Sequence, residues 1–355
     1  MEQETKFGNI LKIMGAYVAW IMGSGFATGQ EIMQFYTCYG YKSFILLLIN
    51  LAGFLIIGPG ILGAGQKHRE DPEYNHFGFF CGKKLGVFYS WYLPISLFAG
   101  MVILISGSGA TLKEYFGINH YVGALIMAAL AFLSYVIGFQ RFVKIVSFIG
   151  PVIIAFTVFV GAVTVIRDFD GISEAAVISD AMEAKQPVGQ WWLAGLLYIS
   201  YNLTGGSAYY SALGATGATR REAVAGATIG TVVLMAAVLL MNSAMLTDIG
   251  STAVLDVPTL YLTKKISVAL GAVFSIILIM GIFSSCSAMM WTVCDKFVTQ
   301  GTRKGIIFAA CAGGAAFLLG LLPFADLIGI VYTLSGYIGF IFVGCVAWKR
   351  IRRRI

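Results

Sequence analysis

An acidic side chain inside an apolar segment is the feature of this sequence that most directly suggests a binding site. Glu31 follows Gln30 in the stretch MGSGFATGQE, residues 22–31, within a segment that is otherwise apolar. A carboxylate facing lipid is costly, so such residues usually face a partner, a binding site or an ion pathway. Glu31 could attract a cationic group or carry a proton, and Gln30 could donate and accept hydrogen bonds beside it.

The glycines before this pair predict a break in the helix. Gly23 and Gly25 flank Ser24, and glycine is the residue least favourable inside a helix after proline. A break leaves carbonyls without donors before it, which attract a cation, and N–H groups without acceptors after it, which attract an anion. The free N–H groups would be those of Gly25, Phe26 and Ala27. Clusters of small residues can also serve only close helix packing.

The composition places these residues in a polytopic membrane protein. Of the 355 residues, 58% are hydrophobic and 12% are charged, whereas soluble domains are typically about 25% charged. Because roughly 20 apolar residues cross a bilayer, the apolar stretches predict ten spans. These cover residues 8–38, 43–65, 87–113, 121–139, 142–166, 189–213, 221–246, 266–294, 304–323 and 325–348.

The positive charges predict the orientation of these spans. With both termini in the cytoplasm, most of the 24 Lys and Arg residues fall in cytoplasmic loops, as the positive-inside rule requires. The net charge of +7 therefore reflects topology, and no nucleic-acid binding is expected. The six cysteines lack metal-binding or disulfide spacing, so neither a metal centre nor a disulfide framework is predicted from them.

A second break is predicted in the sixth span, WWLAGLLYISYNLTGGSAYYSALG. The run NLTGG, residues 202–206, interrupts its apolar character. This span opens the second set of five, and two sets of five spans cross a membrane in opposite senses. Broken helices at matching positions of inverted halves indicate the substrate site of a secondary transporter. The sequence thus predicts a single all-α membrane domain with a first repeat over residues 1–166, an outer loop over 167–188 and a second repeat over 189–355.

The motif GSGFATGQE in the first span resembles the glycine-rich first-helix motif of the amino acid–polyamine–organocation superfamily, whose members share the LeuT fold. Within that superfamily, the chain resembles the YkvI-like family of bacterial membrane proteins. The resemblance covers nearly the whole chain as the ten-helix core. It implies secondary active transport across the bacterial cytoplasmic membrane by alternating access, with helices one and six discontinuous.

The resemblance also implies a sodium site between the first and eighth spans. Sodium-coupled members of this fold hold the ion with two hydroxyl residues on helix eight and with carbonyls of helices one and eight. The corresponding ligands here are the hydroxyls of Ser284 and Ser285 and the carbonyls of Ala19, Met22 and Gly281. Two adjacent serines on a membrane helix can instead bond to the backbone or to a neighbouring helix.

The two breaks together suit a solute that carries both charges. A zwitterionic amino acid would place its carboxylate at the free N–H groups of the first span and its ammonium at the carbonyls near Tyr198 to Asn202. An anionic Glu31 would instead favour a cationic solute among aromatic rings. Phe98 or Tyr201 is expected to form an aromatic lid. The predicted substrate-binding residues are Gly23, Ser24, Gly25, Phe26, Ala27, Gln30, Glu31, Phe98, Tyr198, Tyr201, Asn202, Thr204 and Gly205.

Two alternatives remain open at this point. Protons could replace sodium as the coupling ion, carried by Glu31 or by Lys144 near the inner end of the fifth span. The protein could also be a transporter-like nutrient receptor that binds without flux. An enzyme is not expected, because the three histidines fall in loops or at span ends and no HExxH or GxSxG motif occurs.

Overall fold

The computed structural model describes residues 5–138, 149–176 and 179–352, and every regular element in them is helical. The N-terminal part contains α1 (Phe7–Ile21), α2 (Ser24–Thr28), α3 (Gln30–Phe35), α4 (Lys42–Lys67), α5 (His76–Phe116), α6 (His120–Ile137) and α7 (Ile149–Asp168). The C-terminal part contains α8 (Trp191–Gly205), α9 (Ser207–Ala215), α10 (Arg220–Leu246), α11 (Pro258–Ile266), α12 (Val268–Phe297), α13 (Arg303–Leu319) and α14 (Phe324–Ile351). Short helical turns at Thr37–Tyr39, Phe169–Ala176, Asp180–Glu183 and Ile249–Thr252 join them.

Seven helices in the described residues are long and apolar enough to cross a membrane. They are α4, α5, α6, α7, α10, α12 and α14, with mean hydropathy between 1.8 and 2.5 over their most apolar stretch. The other three predicted spans coincide with shorter or interrupted helices, namely α1 to α3, α8 with α9, and α13. Part of the predicted fifth span, 142–166, lies outside the described residues.

The chain leaves helical geometry between α1 and α2, at Met22 and Gly23. Gly23 is extended, with φ −71° and ψ −168°, and the N–H of Met22 bonds to the carbonyl of Val18. A second turn separates α2 from α3 at Gly29, whose φ of +84° is strained for any residue with a side chain. The two glycine-centred turns divide the first predicted span into three short helices.

The interruption of the sixth predicted span is smaller than the sequence suggested. Residues 202–205 remain helical, and Gly206 alone separates α8 from α9. Gly206 keeps a right-handed conformation, φ −86° and ψ −4°, and its N–H still bonds to the carbonyl of Asn202. The prediction that residues 202–206 unwind together was therefore wrong in extent, because the backbone hydrogen bonds continue almost across the glycine pair.

Two apolar clusters form the core, and α2 lies where they meet. The first cluster is built largely on α1, α4, α8 and α10, and the second on α5, α6, α12 and α14. Phe26 belongs to the first cluster and its neighbour Ala27 to the second, and both are buried. Phe26 and Ala27, which follow the first interruption, are therefore enclosed by the two apolar clusters.

Small residues allow the closest helix contacts in this bundle. Gly65 on α4 lies against the backbone of Ser211 on α9, and Gly214 on α9 lies against the backbone of Leu62 on α4. Lipid provides no hydrophobic force between helices, so such close approach of backbones supplies much of the packing energy. The paired glycines fix α9 against α4 beside the interruption at Gly206.

Candidate functional site

Glu31 lies at the centre of a buried polar cluster between α3 and α8. Glu31 is the second residue of α3, and only 3% of it is exposed. Its Oε1 accepts a 2.6 Å hydrogen bond from the Tyr201 hydroxyl. Tyr198 and Asn202, also on α8, face the same carboxylate. No Lys, Arg or His in the described residues forms an ion pair with Glu31. The carboxylate is thus held by neutral groups.

Aromatic rings surround the Tyr201 side of this cluster. Tyr201 stacks on Tyr332 of α14 with ring centroids 4.5 Å apart. It also contacts Phe35 at 5.4 Å and Tyr198 at 5.5 Å, both in tilted or edge-on geometry. The rings therefore form one connected wall that joins α3, α8 and α14 beside the carboxylate.

The second carboxylate oxygen of Glu31 reaches back over α2. A Cβ built at Gly25 would lie 3.2 Å from Oε2 of Glu31 and 3.1 Å from the Tyr332 hydroxyl. Thr28 donates a 2.7 Å hydrogen bond to the Gly25 carbonyl and so steadies the turn. A methyl group here would therefore press on the carboxylate and on the tyrosine hydroxyl, and each would have to shift slightly.

The predicted N–H groups of the first span are only partly available. Gly25 and Phe26 lie in the first turn of α2, where helix geometry supplies no acceptor for their N–H groups. The N–H of Ala27, by contrast, bonds to the Gly23 carbonyl at 3.0 Å. The prediction that Ala27 offers a free amide was wrong, because α2 closes its first helical turn on Gly23.

Several buried polar atoms near this site lack a hydrogen-bond partner among the described residues. Both side-chain polar atoms of Gln30 are in this group, as are the Tyr198 hydroxyl and Oε1 of Gln34. The other end of Gln34 donates a 2.7 Å bond to the carbonyl of Ala325 at the start of α14. Buried groups of this kind are costly unless something satisfies them, which supports a ligand-binding role for this region.

The carbonyls predicted to hold an ammonium on the sixth span are already engaged. Those near Tyr198 lie inside continuous α8, and the Tyr198 carbonyl also accepts from the Asn202 amide at 3.1 Å. The Asn202 carbonyl accepts from the N–H of Gly206. The prediction of a free carbonyl cluster between Tyr198 and Asn202 was therefore wrong, because α8 ends at Gly205. The side chains of Tyr198 and Asn202 reach the site instead.

Three further predicted residues form no hydrogen bond with Glu31 in the described part of the chain. Thr204 bonds to the Gly339 carbonyl on α14 at 3.4 Å, and Gly205 closes α8 with no side chain to offer. Phe98 packs with the second apolar cluster, whereas the ring stacked on Tyr201 is Tyr332. Tyr332 was not predicted, because a tyrosine in an apolar span is usually an ordinary packing or interface residue.

The predicted sodium ligands lie on helices that meet at the start of α7. Ala19 on α1 lies against Gly150, with 4.0 Å between its Cβ and a Cβ built at that glycine. Gly281 on α12 lies against Ile149 and Ile153. The carbonyls of Ala19 and Met22 fall at the end of α1, where they have no intrahelical donor. These two carbonyls are thus available to a hard cation, whereas the Gly281 carbonyl lies inside the unbroken α12.

The two hydroxyl ligands of that set lie on α12. Ser284 and Ser285 are partly buried on α12, which continues unbroken from Val268 to Phe297. One turn further on, the Ser287 hydroxyl is buried without a hydrogen-bond partner among the described residues. Lys144, the alternative basic residue, lies outside the described residues.

Comparison with known proteins shows which fold this site belongs to. The chain is 23% identical to the Uncharacterized membrane protein YkvI of Bacillus subtilis (strain 168), over 100% of this chain and 99% of that protein. MhsT, solved in complex with L-phenylalanine, matches with a TM-score of 0.61 at 14% identity, over 98% of this chain and 97% of MhsT. Mhp1 in its inward-facing conformation matches with a TM-score of 0.52 at 14% identity, over 97% of this chain and 77% of Mhp1.

The chain shares the LeuT fold with MhsT and Mhp1 and is similar over its full length to YkvI. The resemblance stated from the motif GSGFATGQE is confirmed by these full-length matches. No family model matches the chain. At 14% identity, the likeness to MhsT and Mhp1 shows the fold. Within this LeuT fold, the Glu31 cluster lies on the interrupted first segment and faces the sixth.

Proposed function

We propose that this protein is a secondary active transporter that moves a small amine-containing solute across the bacterial plasma membrane by alternating access. In this proposal the ten spans form a 5+5 inverted repeat with both termini in the cytoplasm, and the first and sixth are its discontinuous helices. The LeuT fold, the division of the first span at Gly23 and Gly29, and the glycine at position 206 support it.

The observation that carries this proposal is the contact between Glu31 and Tyr201. These side chains join the interrupted first and sixth segments at a buried point enclosed by both apolar clusters. Glu31 has no basic partner in the described residues, so its negative charge is not balanced by the protein there. An amine among the surrounding rings would supply the missing positive charge.

Sodium is the proposed coupling ion. Carbonyls of Ala19, Met22 and Gly281 and hydroxyls of Ser284 and Ser285 would hold it, since Na⁺ is a hard cation that prefers oxygen ligands. Binding there would tie α1 to α12 and so steady α2 and α3, which carry the solute site. By linkage, sodium and solute would each raise the affinity for the other.

Proton coupling is the second candidate, favoured by the same Glu31. A carboxylate bonded to Tyr201 but lacking a cationic partner could take up a proton when the solute leaves. The flux would then follow the pH gradient, and sodium would have no effect.

The full chain reconstituted in proteoliposomes tests both candidates. Amines and amino acids are first screened by thermal shift in Na⁺ and in K⁺. Radiolabelled hits are then followed for uptake under an imposed Na⁺ or pH gradient. Accumulation driven by Na⁺ supports the main proposal, and accumulation driven by protons supports the second. Binding without accumulation under either gradient would reject transport and leave a receptor.

A further inference from the structure

The residues around Glu31 indicate the chemical class of the solute more narrowly than the presence of an amine. We infer that the solute is a small organic cation without a free carboxylate, whose positive group pairs with Glu31 inside the aromatic wall of Phe35, Tyr198, Tyr201 and Tyr332. This inference rests on the proposed transport function and names the substrate class of the same site.

The first argument is the charge that the protein itself provides. Glu31 is almost fully buried, and no cationic side chain in the described part of the chain pairs with it. An uncompensated buried carboxylate is destabilising, whereas the same carboxylate with a cation beside it is not. A cation that arrives with the solute would supply the missing positive charge.

The second argument is the position of the two carboxylate oxygens. Oε1 is bonded to Tyr201, and Oε2 lies over Gly25, 3.2 Å from the place where a Cβ would be. A zwitterion bound here would bring its own carboxylate into the region that already holds one. Two carboxylates a few ångströms apart in a buried site repel strongly.

The third argument is the chemistry of the walls. Ring centroids of Phe35 and Tyr332 lie 5.4 Å and 4.5 Å from that of Tyr201, so aromatic rings cluster around the tyrosine that bonds to the carboxylate. Aromatic faces attract ammonium and quaternary ammonium groups when water is excluded. The buried Tyr198 hydroxyl faces the same carboxylate and could also accept a hydrogen bond from an ammonium.

An inorganic cation fits these walls less well. Divalent and transition metals need several oxygen, nitrogen or sulfur ligands. Within the described ranges, no group of three or more His, Cys, Asp and Glu residues could hold a metal ion. One carboxylate among tyrosine and phenylalanine rings is instead the arrangement that suits an alkylammonium group.

Pairs of compounds that differ by one carboxylate test the inference on the full chain. Cadaverine is compared with lysine, tyramine with tyrosine, and choline with glycine betaine, by thermal shift and by uptake into proteoliposomes. We expect the member without the carboxylate to bind about tenfold or more tightly in at least one pair. Equal or tighter binding of the zwitterion in every pair that binds would overturn the inference while leaving the transport proposal intact.

A variant locates the discrimination at Glu31. Glu31→Gln keeps an acceptor for the Tyr201 hydroxyl and removes the charge. The two compounds of each pair should then bind with nearly equal affinity. Glu183→Gln, at an exposed position of the outer loop, is the matched control and should keep the preference. If Glu31→Gln keeps it as well, the inference fails. If no compound of any pair binds or enters with wild type, the inference and the proposed transport of amines both fail. Should Glu31→Gln not fold, the wild-type pairs alone decide.

Discussion

Tyr201 donates a 2.6 Å hydrogen bond to Oε1 of Glu31, across 170 positions of the chain. The donor lies on α8 and the acceptor on α3, so one contact ties the sixth segment to the first. Tyr201 also stacks on Tyr332 of α14, which extends the tie to a third helix. Any movement that separates these segments must break this bond and expose a carboxylate that is now buried.

Removing the Tyr201 hydroxyl should destabilise the protein in the absence of solute. Tyr201→Phe keeps the ring stacked on Tyr332 but leaves Oε1 of Glu31 without its donor. Loss of one partner from a buried hydrogen bond costs about 1–3 kcal/mol, so thermal unfolding in detergent should begin at a lower temperature. Tyr337→Phe, at a ring 45% exposed on the same α14 as Tyr332, should unfold like wild type. Equal unfolding of both variants would show that the bond adds nothing.

The residues of the site that could be predicted from the sequence are those whose chemistry differs from the apolar span around them. Glu31 and Gly23 stand out because a charge and a helix-breaking residue are rare inside an apolar span. Tyr332 could not be predicted, because it is one of many aromatic residues in apolar spans and its contact with Tyr201 depends on how α14 packs. Its partner is 131 positions away, and nothing in either local sequence records the pairing.

The length of a helix interruption could not be predicted from the sequence either. Gly205 and Gly206 predict a break as strongly as Gly23 and Gly25 do, yet Gly206 stays right-handed and its neighbours stay helical. The difference comes from packing, since the Gly206 backbone lies tightly against the rings of Tyr210 and Trp20. Glycine permits a break, and the contacts around it decide whether one forms.

The proposed sodium site gives a second prediction. Ser284→Ala removes one hydroxyl ligand, so the Na⁺ concentration needed for half-maximal solute binding should rise about tenfold. Ser275→Ala on the same α12 is the control, because its hydroxyl bonds back to the Ala272 carbonyl at 2.8 Å. Titration of solute binding with Na⁺ at constant ionic strength checks both. An unchanged Na⁺ response in Ser284→Ala would argue against these ligands.

A carboxylate of α10 that contacts the start of α1 gives a third prediction. Glu222 is buried at the start of α10, where Oε1 accepts the N–H of Lys6 at 2.7 Å and Oε2 accepts the N–H of Ala218 at 2.8 Å. The carboxylate thus fastens the start of α1 to the turn before α10. Glu222→Gln replaces one accepting oxygen by a donor, so one of these N–H groups loses its partner. The N-terminal part of α1 should then separate from α10 more often.

Limited proteolysis measures that separation. Trypsin should cut after Lys6 or Lys12 several-fold faster in Glu222→Gln than in wild type, because cleavage follows the population of opened α1. Glu73→Gln lies in the exposed turn after α4 and should be cut at the wild-type rate. Equal rates in all three proteins would mean that Glu222 does not restrain α1.

An ion pair between the loop after α10 and the end of α11 gives the last prediction, on pH. Nζ of Lys265 lies 3.0 Å from Oδ2 of Asp248 and 3.2 Å from Oδ2 of Asp168. Burial alone would raise the pKa of Asp248, but hydrogen bonds from Lys265 and Tyr261 outweigh it and hold that pKa below its ordinary value. A carboxyl group whose pKa is depressed on folding adds stability above its unfolded pKa, near 3.9. That stability is lost as the pH falls through the lower folded pKa.

Comparison of Lys265→Met with wild type over pH isolates this contribution. At pH 7 the variant should be less stable by about 0.2–1 kcal/mol, the usual range for partly exposed pairs. As the pH falls through the lowered pKa of Asp248, the two proteins should converge, because Asp248 then becomes protonated in the folded protein as well. Lys42→Met, at an exposed lysine with no ion pair among the described residues, should differ from wild type by the same small amount at every pH. A deficit in Lys265→Met that persists undiminished in acid would assign the effect to lost packing of the lysine stem and not to its charge.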